Sequence, residues 1–366
     1  MKTKMNKSFT RVAIKIGSNV LTRADGTLDV TRMSALVDQI AELHRRGIEV
    51  ILISSGAVAS GRSELNIGGK KMDSVDQRQL FSAVGQAKLI NRYYELFREH
   101  HIPVGQVLTM KENFATRRHY LNQRNCMMVM LENGVIPIVN ENDTISVTEL
   151  MFTDNDELSG LIASMMDAQV LIILSNVDGI YDGSPTNPTS QVIRRVEPGR
   201  DLSEYISVER SGFGRGGMVT KSNIARKVAD EGILVFIANG KRDNILIKLL
   251  DDTEETVSTC FEPNPEAPSS VKKWIAHSEG FAKGRIYLDS LAVQTLMGEK
   301  AVSLLPVGVT NIEGEFEKDD IVSLISPNGN RIGVGRVAYD AAEARLVMGK
   351  HGVRPLIHYD YLYLEI

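Results

Sequence analysis

One local pattern repeats through much of this 366-residue chain and constrains the fold more than any other feature. In residues 11–240, a short run of β-branched and aliphatic residues ends at Gly, Ser or Asn, and a segment with helical spacing of apolar residues follows it. Alternation of strands with helices is typical of α/β proteins. We therefore predict a mainly parallel open sheet sandwiched by helices.

Six runs are candidate strands, and several are apolar on both faces, as buried parallel strands are. They are Val12–Ile16, Glu49–Ile53, Val104–Leu108, Val135–Val139, Val170–Leu174 and Leu234–Ile237. Between the first two strands, the apolar spacing predicts a crossover helix that Thr31 caps and Gly47 follows. Because ligands of such sheets bind beyond the carboxyl ends of the strands, we expect the functional residues in the loops there.

The pattern stops at residues 251–270, a segment that is acidic, contains three prolines and has no apolar periodicity. After Trp274 the chain changes to short strands and glycine-containing turns, as in GRIYLD and GNRIGVGRVAY. This change favours a small β-rich barrel or sandwich at the C-terminus. We predict a first domain of residues 1–260, a linker of residues 261–272 and a second domain of residues 273–366.

Composition excludes several classes of protein. Hydrophobic residues make up 43% of the chain and charged residues 24%, which is typical of globular proteins and excludes disorder and coiled coil. The net charge of -4 gives no basic field for non-specific nucleic-acid binding. Cys126 and Cys260 form no disulfide or metal-ligand pattern, which indicates reduced thiols. With neither a signal peptide nor a membrane span in the sequence, we expect a cytoplasmic protein.

Two strand ends carry residues suited to anions. Lys15 lies near the end of the first predicted strand, before the small residues Gly17, Ser18 and Asn19, where its ammonium can meet a phosphate while turn amides donate hydrogen bonds. The alternative is a half-buried lysine that reaches solvent at the sheet edge. The second strand ends at Ser55, which either binds a ligand or only caps the next helix.

Two polar clusters follow the fourth predicted strand. The first is the NEND segment, residues 140–143, and the second contains Asp154, Asn155 and Asp156. Carboxylates mixed with amides suit a zwitterionic substrate, because its amino group binds Asp while its carboxylate binds amide and hydroxyl donors. Capping of a helix that begins near Asp154 is the alternative for the second cluster.

A glycine loop precedes another predicted helix in the segment SGFGRGGMVTK, residues 211–221. It contains G-x-G-x-x-G, but no apolar strand precedes it, and Lys221 lies too far on for a P-loop, so neither of those motifs is predicted. The loop carries Arg215 and leads into Thr220 and Lys221, an arrangement suited to closing over a polyphosphate. The alternative is a mobile surface loop.

Taken together, the motifs KIGS, SSGA, NEND, TDNDELS and GGMVTK have the order and approximate spacing of the amino acid kinase family, which the chain resembles over essentially its whole length. The resemblance is closest to members that use ATP to phosphorylate the γ-carboxylate of L-glutamate in the first step of proline biosynthesis. KKWI, SLLPVGV, GEFEKDDIV and GVGRVAY resemble a C-terminal PUA domain. The resemblance therefore implies an amino acid kinase fold followed by a PUA domain.

The resemblance also implies roles for individual residues. Lys15 and Lys221 would stabilise charge on the transferring phosphoryl group, and Asp156 would orient both lysines. Residues that would hold glutamate are Ser55, Asn140, Asp143, Asp154 and Asn155. Residues that would contact ATP are Lys15, Ser175, Asn176, Arg215, Gly216, Gly217, Met218, Val219, Thr220 and Lys221. The family usually has Thr-Asp at Ser175-Asn176 and Thr at Arg215, so these positions depart from its pattern.

Further partners are implied by the same resemblance: proline as a feedback inhibitor, glutamate-5-semialdehyde dehydrogenase as recipient of the labile product, and assembly as a dimer or tetramer. Elementary chemistry agrees with phosphorylation of a carboxylate. A carboxylate acceptor with a pKa near ~4.3 is already ionised and needs no catalytic histidine. We expect Mg²⁺ to be carried mainly by the nucleotide phosphates, with no metal site built from side chains.

Two other functions stay open. The chain could phosphorylate another carboxylate or a carbamate, because the choice of acceptor depends on NEND and TDNDELS. It could also bind RNA through the PUA-like tail. Residues 272–366 contain 11 Lys and Arg against 12 Asp and Glu, a net charge of -1 that disfavours contact with a phosphate backbone.

Overall fold

The computed structural model divides the chain into two compact units. One comprises residues 1–111 and 124–267, and the other comprises residues 112–123 and 268–366. The structure describes residues 9–65, 72–114, 117–145, 154–184, 187, 189–202, 205, 217–251, 256–265, 282–298 and 302–364. The predicted domain boundaries at residues 260 and 272 stay predictions, since the second lies outside these ranges.

An eight-stranded sheet forms the centre of the first unit. Its strands are β1 (Arg11–Ile16), β2 (Glu49–Ser54), β3 (Val104–Thr109), β4 (Ile136–Glu141), β5 (Val170–Ser175), β6 (Arg195–Val196), β7 (Leu234–Asn239) and β8 (Thr259–Phe261). Their order is β3-β4-β2-β1-β5-β7-β8-β6, and only β7 and β8 pair antiparallel. The mainly parallel sheet and all six predicted strands are confirmed. The sequence pattern does not predict β6 and β8, which are only two and three residues long.

Helices connect these strands and cover both faces of the sheet. In the described part of the chain they are α1 (Ser18–Leu21), α2 (Val30–Arg45), α3 (Ala57–Glu64), α4 (Ser74–Arg98), α5 (Arg117–Glu132), α6 (Asn155–Met165), α7 (Met218–Asp230) and α8 (Ile245–Asp251). Ile14 and Ile16 of β1 pack in one core with Leu36 of α2, while Lys15 between them reaches α6 on the opposite face. Among the described residues, no helix has the length and apolarity needed to cross a membrane.

The first crossover helix, α2, confirms the helical spacing but corrects its predicted cap. Asp29, not Thr31, occupies the N-cap, and its carboxylate accepts a hydrogen bond from the backbone N–H of Arg32 at 3.1 Å. A carboxylate at this position satisfies an otherwise unpaired amide and also interacts well with the positive end of the helix dipole. Gly47 lies just beyond the helix with a φ of 80°, as its position in the sequence predicts.

Two glycines bring α3 and α4 into backbone contact. A Cβ added to Gly61 would lie 1.8 Å from the carbonyl oxygen of Phe81, and one added to Gly85 would lie 1.8 Å from that of Ala57. No larger residue fits at either position without separating the helices. Because α3 follows the end of β2 directly, this contact places α4 beside the loop that contains Ser55.

The second unit contains a five-stranded sheet with the order β10-β9-β11-β12-β13. Its elements are β9 (Gly284–Leu288), α9 (Ser290–Leu296), β10 (Val309–Gly314), β11 (Ile321–Ile325), β12 (Arg331–Arg336), α10 (Ala341–Val347) and β13 (Leu362–Leu364). Only β9 and β11 pair in parallel. Ile286, Leu324 and Val337 lie in its own buried core. The predicted small β-rich domain is therefore confirmed.

We expect Gly85→Ala to lower the free energy of unfolding by about 1–3 kcal/mol or more, because its methyl group must displace the backbone of α3. Gly160→Ala is the matched control. A Cβ there meets only methyl groups of Ile224 and Val228, both at 3.0 Å, and alanine is the better helix former by ~1 kcal/mol. Urea unfolding measures the free energy of unfolding of both variants. Equal losses for Gly85→Ala and Gly160→Ala would contradict the stabilising role of the backbone contact between α3 and α4.

Candidate active site

The carboxyl ends of four neighbouring strands bring the predicted polar residues to one edge of the first sheet. In the strand register, Ile16 pairs with Ser54 and also with Leu174, and Ile53 pairs with Val139. The residues that follow these positions are the small-residue turn after Lys15, the turn at Ser55, the NEND segment and the Ser175-Asn176 pair. Loops that are far apart in sequence therefore share one site.

A buried cluster of three charged side chains lies at the centre of this edge. The ammonium of Lys15, on β1, donates to Oδ1 of Asp156 at 2.5 Å, and the ammonium of Lys221, on α7, lies 2.9 Å from Oδ2 of the same carboxylate. The side chains of Lys15, Asp156 and Lys221 are 5%, 1% and 12% exposed. Lys15 is therefore an ion-paired residue of the interior and does not reach solvent at the sheet edge.

In this Lys15–Asp156–Lys221 cluster, two ammonium groups face one carboxylate, and the neighbouring Asp154 interacts electrostatically with all three groups. Burial acts to raise the pKa of Asp156, but the two ammonium groups outweigh burial and hold that pKa below its ordinary value. Asp156 is thus ionised, with each of its oxygens facing a lysine. The two ammonium groups are held in place by one buried carboxylate, and this fixed pair of cations is suited to binding a phosphoryl group.

Glycines keep space beside this cluster. A Cβ on Gly17 would lie 3.1 Å from the carbonyl oxygen of Leu174 and 3.6 Å from the ammonium nitrogen of Lys15. Gly217 occupies the N-cap of α7 with extended backbone, so the helix begins at Met218 and its first turn leads to Lys221. The predicted helix after the glycine loop is confirmed. Arg215 and Gly216 lie outside the described residues.

A network of amides and hydroxyls lies next to the cluster. The amide nitrogen of Asn155 donates to the Ser55 hydroxyl at 2.9 Å and to the side-chain oxygen of Asn140 at 2.9 Å. Ser55 does not cap α3, because Gly56, with a φ of 108°, occupies that position. The structure thus joins three of the predicted substrate-binding residues through one side chain, and Asn155 precedes Asp156 in the same helical turn.

The two carboxylate oxygens of Asp154 have different surroundings. Oδ1 caps α6 by accepting hydrogen bonds from the N–H groups of Asp156 and Glu157 at 2.8 and 3.0 Å. Oδ2 is buried and has no hydrogen-bond partner among the described residues. Burial, followed by the charge of Asp156, raises the pKa of Asp154 to about 6. Capping therefore explains one oxygen of Asp154, and its role as a substrate-binding residue stays a prediction for the other.

Asp143 forms an ion pair that sequence reasoning missed. Nε of Arg78 lies 2.6 Å from Oδ1 of Asp143, and Nη2 of Arg78 lies 2.8 Å from Glu141. Two further residues of α4 contact the same segment: Ser82 donates to Asp143 at 3.3 Å, and Gln86 accepts from Asn140 at 2.8 Å. The sequence signal for these α4 residues is their spacing of four, which places polar side chains on one helix face.

Ser175 and Asn176 lie at the end of β5, next to a second missed ion pair. The Ser175 hydroxyl contacts the side chain of Asn176 at 3.4 Å. Nearby, Arg242 donates two hydrogen bonds of 2.6 Å to Asp178, and these bonds are the main cause that holds the pKa of Asp178 below its ordinary value. Asp178 also accepts from Asn239, at the end of β7. This ion pair ties the turn after β5 to the turn after β7.

The chain is similar to known proteins over nearly the full length of both sequences. The amino acid kinase family matches residues 10–239, and the PUA domain matches residues 284–359. The chain is 73% identical over 361 residues to the glutamate 5-kinase of Bacteroides thetaiotaomicron, which covers 99% of this chain and 100% of that protein. It is 45% identical over 359 residues to the glutamate 5-kinase of Chlorobaculum tepidum, with 97% and 98% covered.

A solved structure of similar fold is that of an isopentenyl phosphate kinase in its substrate complex. It has 17% sequence identity and a TM-score of 0.50, and the match covers 69% of this chain and 100% of that one. At this identity, the likeness concerns the fold alone.

We expect Asp154→Asn to raise the free energy of unfolding by about 1–3 kcal/mol above about pH 7. The folded-state pKa of about 6 exceeds the ordinary 3.8, so the ionised carboxylate is less favourable in the folded protein than in the unfolded chain. The protonated group contributes stability at low pH that is lost as the pH rises through 6. The gain from the variant should therefore shrink as the pH falls from 6 towards 3.8.

Urea unfolding at several pH values measures this difference, and Asp178→Asn is the control. The pKa of Asp178 is lowered, so its ionised form contributes stability at neutral pH, and its removal should destabilise the protein there. A gain from Asp154→Asn that did not change with pH would contradict the assigned titration.

Proposed function

The chain belongs to the amino acid kinase family and, within it, to the glutamate 5-kinases, and we propose that its Lys15–Asp156–Lys221 cluster is the catalytic centre of that activity. The reaction is the ATP-dependent phosphorylation of the γ-carboxylate of L-glutamate, the first step of proline biosynthesis. The observation that carries the proposal is the buried carboxylate bridging two lysine ammonium groups.

Transfer of a phosphoryl group between two anions needs positive charge more than it needs a base. The glutamate γ-carboxylate is ionised near neutral pH, so no proton has to be removed from it. Lys15 and Lys221 supply ammonium groups that stabilise negative charge on the transferring group and offset repulsion between the reactants. Asp156 has both oxygens on these lysines and a lowered pKa, so it orients them and does not act as a base.

The acceptor is proposed to bind beside the cluster. Ser55 accepts a hydrogen bond from Asn155 and keeps its own O–H to donate to a carboxylate of glutamate. The N–H groups of Asn155 are held by Ser55 and Asn140, so its side-chain oxygen is the group that it offers to the α-ammonium group of glutamate. Asp143 and the buried oxygen of Asp154 offer negative charge to the α-ammonium group. Because Asn155 and Asp156 are consecutive, an acceptor held by the first lies close to the lysines held by the second, which favours transfer through proximity.

The nucleotide is proposed to bind on the side of β5 and α7. Amino acid kinases use ATP, and the start of α7 presents the backbone N–H groups of Met218, Val219 and Thr220 and the positive end of a helix dipole to its phosphates, while Lys221 offers its ammonium group. Ser175, Asn176 and Gly217 are the other described residues that are proposed to contact the nucleotide. Arg215 and Gly216 also belong to it, although the structure does not describe them.

Mg²⁺ is proposed to accompany the nucleotide. In the described ranges, no three His, Cys, Asp or Glu side chains form a group able to hold a metal ion. Mg²⁺ commonly keeps phosphate and water oxygens as its ligands, so the nucleotide phosphates are proposed to carry it. When bound there, Mg²⁺ would neutralise phosphate charge that the lysines do not.

Regulation and assembly are proposed from family resemblance alone. They comprise feedback inhibition by proline, transfer of the product to glutamate-5-semialdehyde dehydrogenase, assembly as a dimer or tetramer, and a cytoplasmic location. For the PUA domain we propose no RNA-binding role, because its segment carries a net charge of -1.

The activity is tested by trapping the acyl phosphate. We expect the protein, with ATP, Mg²⁺ and hydroxylamine, to form a hydroxamate from L-glutamate much faster than from aspartate or N-acetylglutamate, and to show no comparable ATP turnover with carbamate. Colorimetric detection of the hydroxamate and measurement of ADP provide the readouts. Folded protein that forms no glutamyl hydroxamate, or that prefers another acceptor, would overturn the proposed substrate.

The catalytic lysines are tested by truncation. Lys15→Ala and Lys221→Ala should each lower kcat at least about 100-fold, since each removes a preorganised charge from the transition state. Lys88→Ala is the matched control, because Lys88 pairs with Glu64 on the surface. Steady-state kinetics, with circular dichroism to verify folding, provide the comparison. If either catalytic variant kept the turnover of the control, the proposed roles would be wrong.

A further inference from the structure

One face of α4 carries a row of polar side chains that contact the NEND segment. The row consists of Arg78, Ser82 and Gln86, which lie four residues apart and so point the same way from the helix. Arg78 and Ser82 contact Asp143, and Gln86 contacts Asn140. Ser82 and Gln86 are buried. The helix thus holds the NEND segment at both ends.

Arg78 makes the strongest of these contacts. Its Nε and Nη2 both face Oδ1 of Asp143, and Nη2 also donates to Glu141 at 2.8 Å. The side chains of Arg78, Glu141 and Asp143 are 18%, 3% and 8% exposed. In such a buried setting, a planar guanidinium fixes the orientation of the carboxylates it contacts, which a flexible point charge would not do.

Arg78 is a cation that two carboxylates share. It carries one positive charge and contacts both Glu141 and Asp143. The α-ammonium group of an amino acid is a second cation that suits Asp143. Without Arg78, the two buried carboxylates would lose this shared cation and would repel each other.

We propose that Arg78 is a positioning residue that sets the affinity for glutamate by holding Asp143 in place and by neutralising one of the two carboxylates. This inference rests on the proposed function, in which Asp143 belongs to the glutamate site. Arg78 acts through Asp143, whereas the lysine cluster is organised by Asp156. Its removal should therefore change the KM for glutamate much more than kcat.

The experiment compares two substitutions of Arg78 with a control on the same helix. Arg78→Gln removes the charge, and Arg78→Lys keeps the charge but loses the planar contact. Arg92→Gln is the control, because Arg92 pairs with Glu95 at i,i+3 on the exposed part of α4. Hydroxamate formation at varied glutamate concentration gives KM and kcat, and thermal unfolding verifies that each variant is folded.

We expect Arg78→Gln to raise the KM for glutamate at least about tenfold, because a buried charge pair loses one partner. Arg78→Lys should raise it less, kcat should stay within about threefold for both, and Arg92→Gln should leave both parameters unchanged. An unchanged KM in folded Arg78→Gln would overturn the proposal. If that variant does not fold, Arg78→Lys decides: a raised KM supports the proposal and an unchanged KM overturns it.

A double-mutant cycle with Asp143→Asn separates this inference from the proposed function. If Arg78 acts through Asp143, the effect of Arg78→Lys on KM should nearly vanish in the Asp143→Asn background, whereas a purely structural role would leave it unchanged. If Asp143→Asn raises KM but the Arg78 variants do not, only the role of Arg78 is wrong. If Asp143→Asn itself leaves KM unchanged, the assignment of Asp143 to the glutamate site is wrong as well.

Discussion

The bridge between Lys15, Asp156 and Lys221 is the interaction on which the rest of the site depends. It joins a central strand to the starts of two helices, α6 and α7, and it does so inside the protein. A buried carboxylate between two ammonium groups is favourable only when the geometry is held closely, since charges removed from water need their partners. The parallel sheet supplies that rigidity, because β1 has a hydrogen-bonded neighbour on each side.

Two groups of charged side chains lie at this end of the sheet, and they differ in kind. In the lysine cluster two ammonium groups face one carboxylate, an arrangement suited to a phosphoryl group. In the NEND segment two carboxylates face the guanidinium of Arg78, an arrangement suited to an ammonium group. Asp154 has a pKa raised to about 6, and one of its carboxylate oxygens has no hydrogen-bond partner in the described part of the chain. Such unsatisfied groups are a cost to the free protein that ligands can relieve.

Packing between α3 and α4 supports the part of the site that contains the NEND segment. Gly61 and Gly85 allow α3 and α4 to touch backbone to backbone, and α4 then presents Arg78, Ser82 and Gln86 to the NEND segment. The glycines themselves contribute no side chain to the site. Their importance lies in the close approach that they permit, which fixes the position of a whole row of side chains.

The sequence by itself determined a mainly parallel sheet, the positions of its six longer strands along the chain and the loops that carry the candidate site residues, because buried parallel strands and amphipathic helices leave strong local patterns. The order of the strands within the sheet came from the tertiary structure. The sequence also singled out Lys15, Asp156 and Lys221 by position and resemblance. Local patterns did not reveal Asp29 as the cap of α2, nor the short strands β6 and β8. Only the tertiary structure decided that Arg78 pairs with Asp143 and that Arg242 pairs with Asp178. Each pair joins elements about 60 residues apart, and such a distance leaves no periodic signal in one sequence.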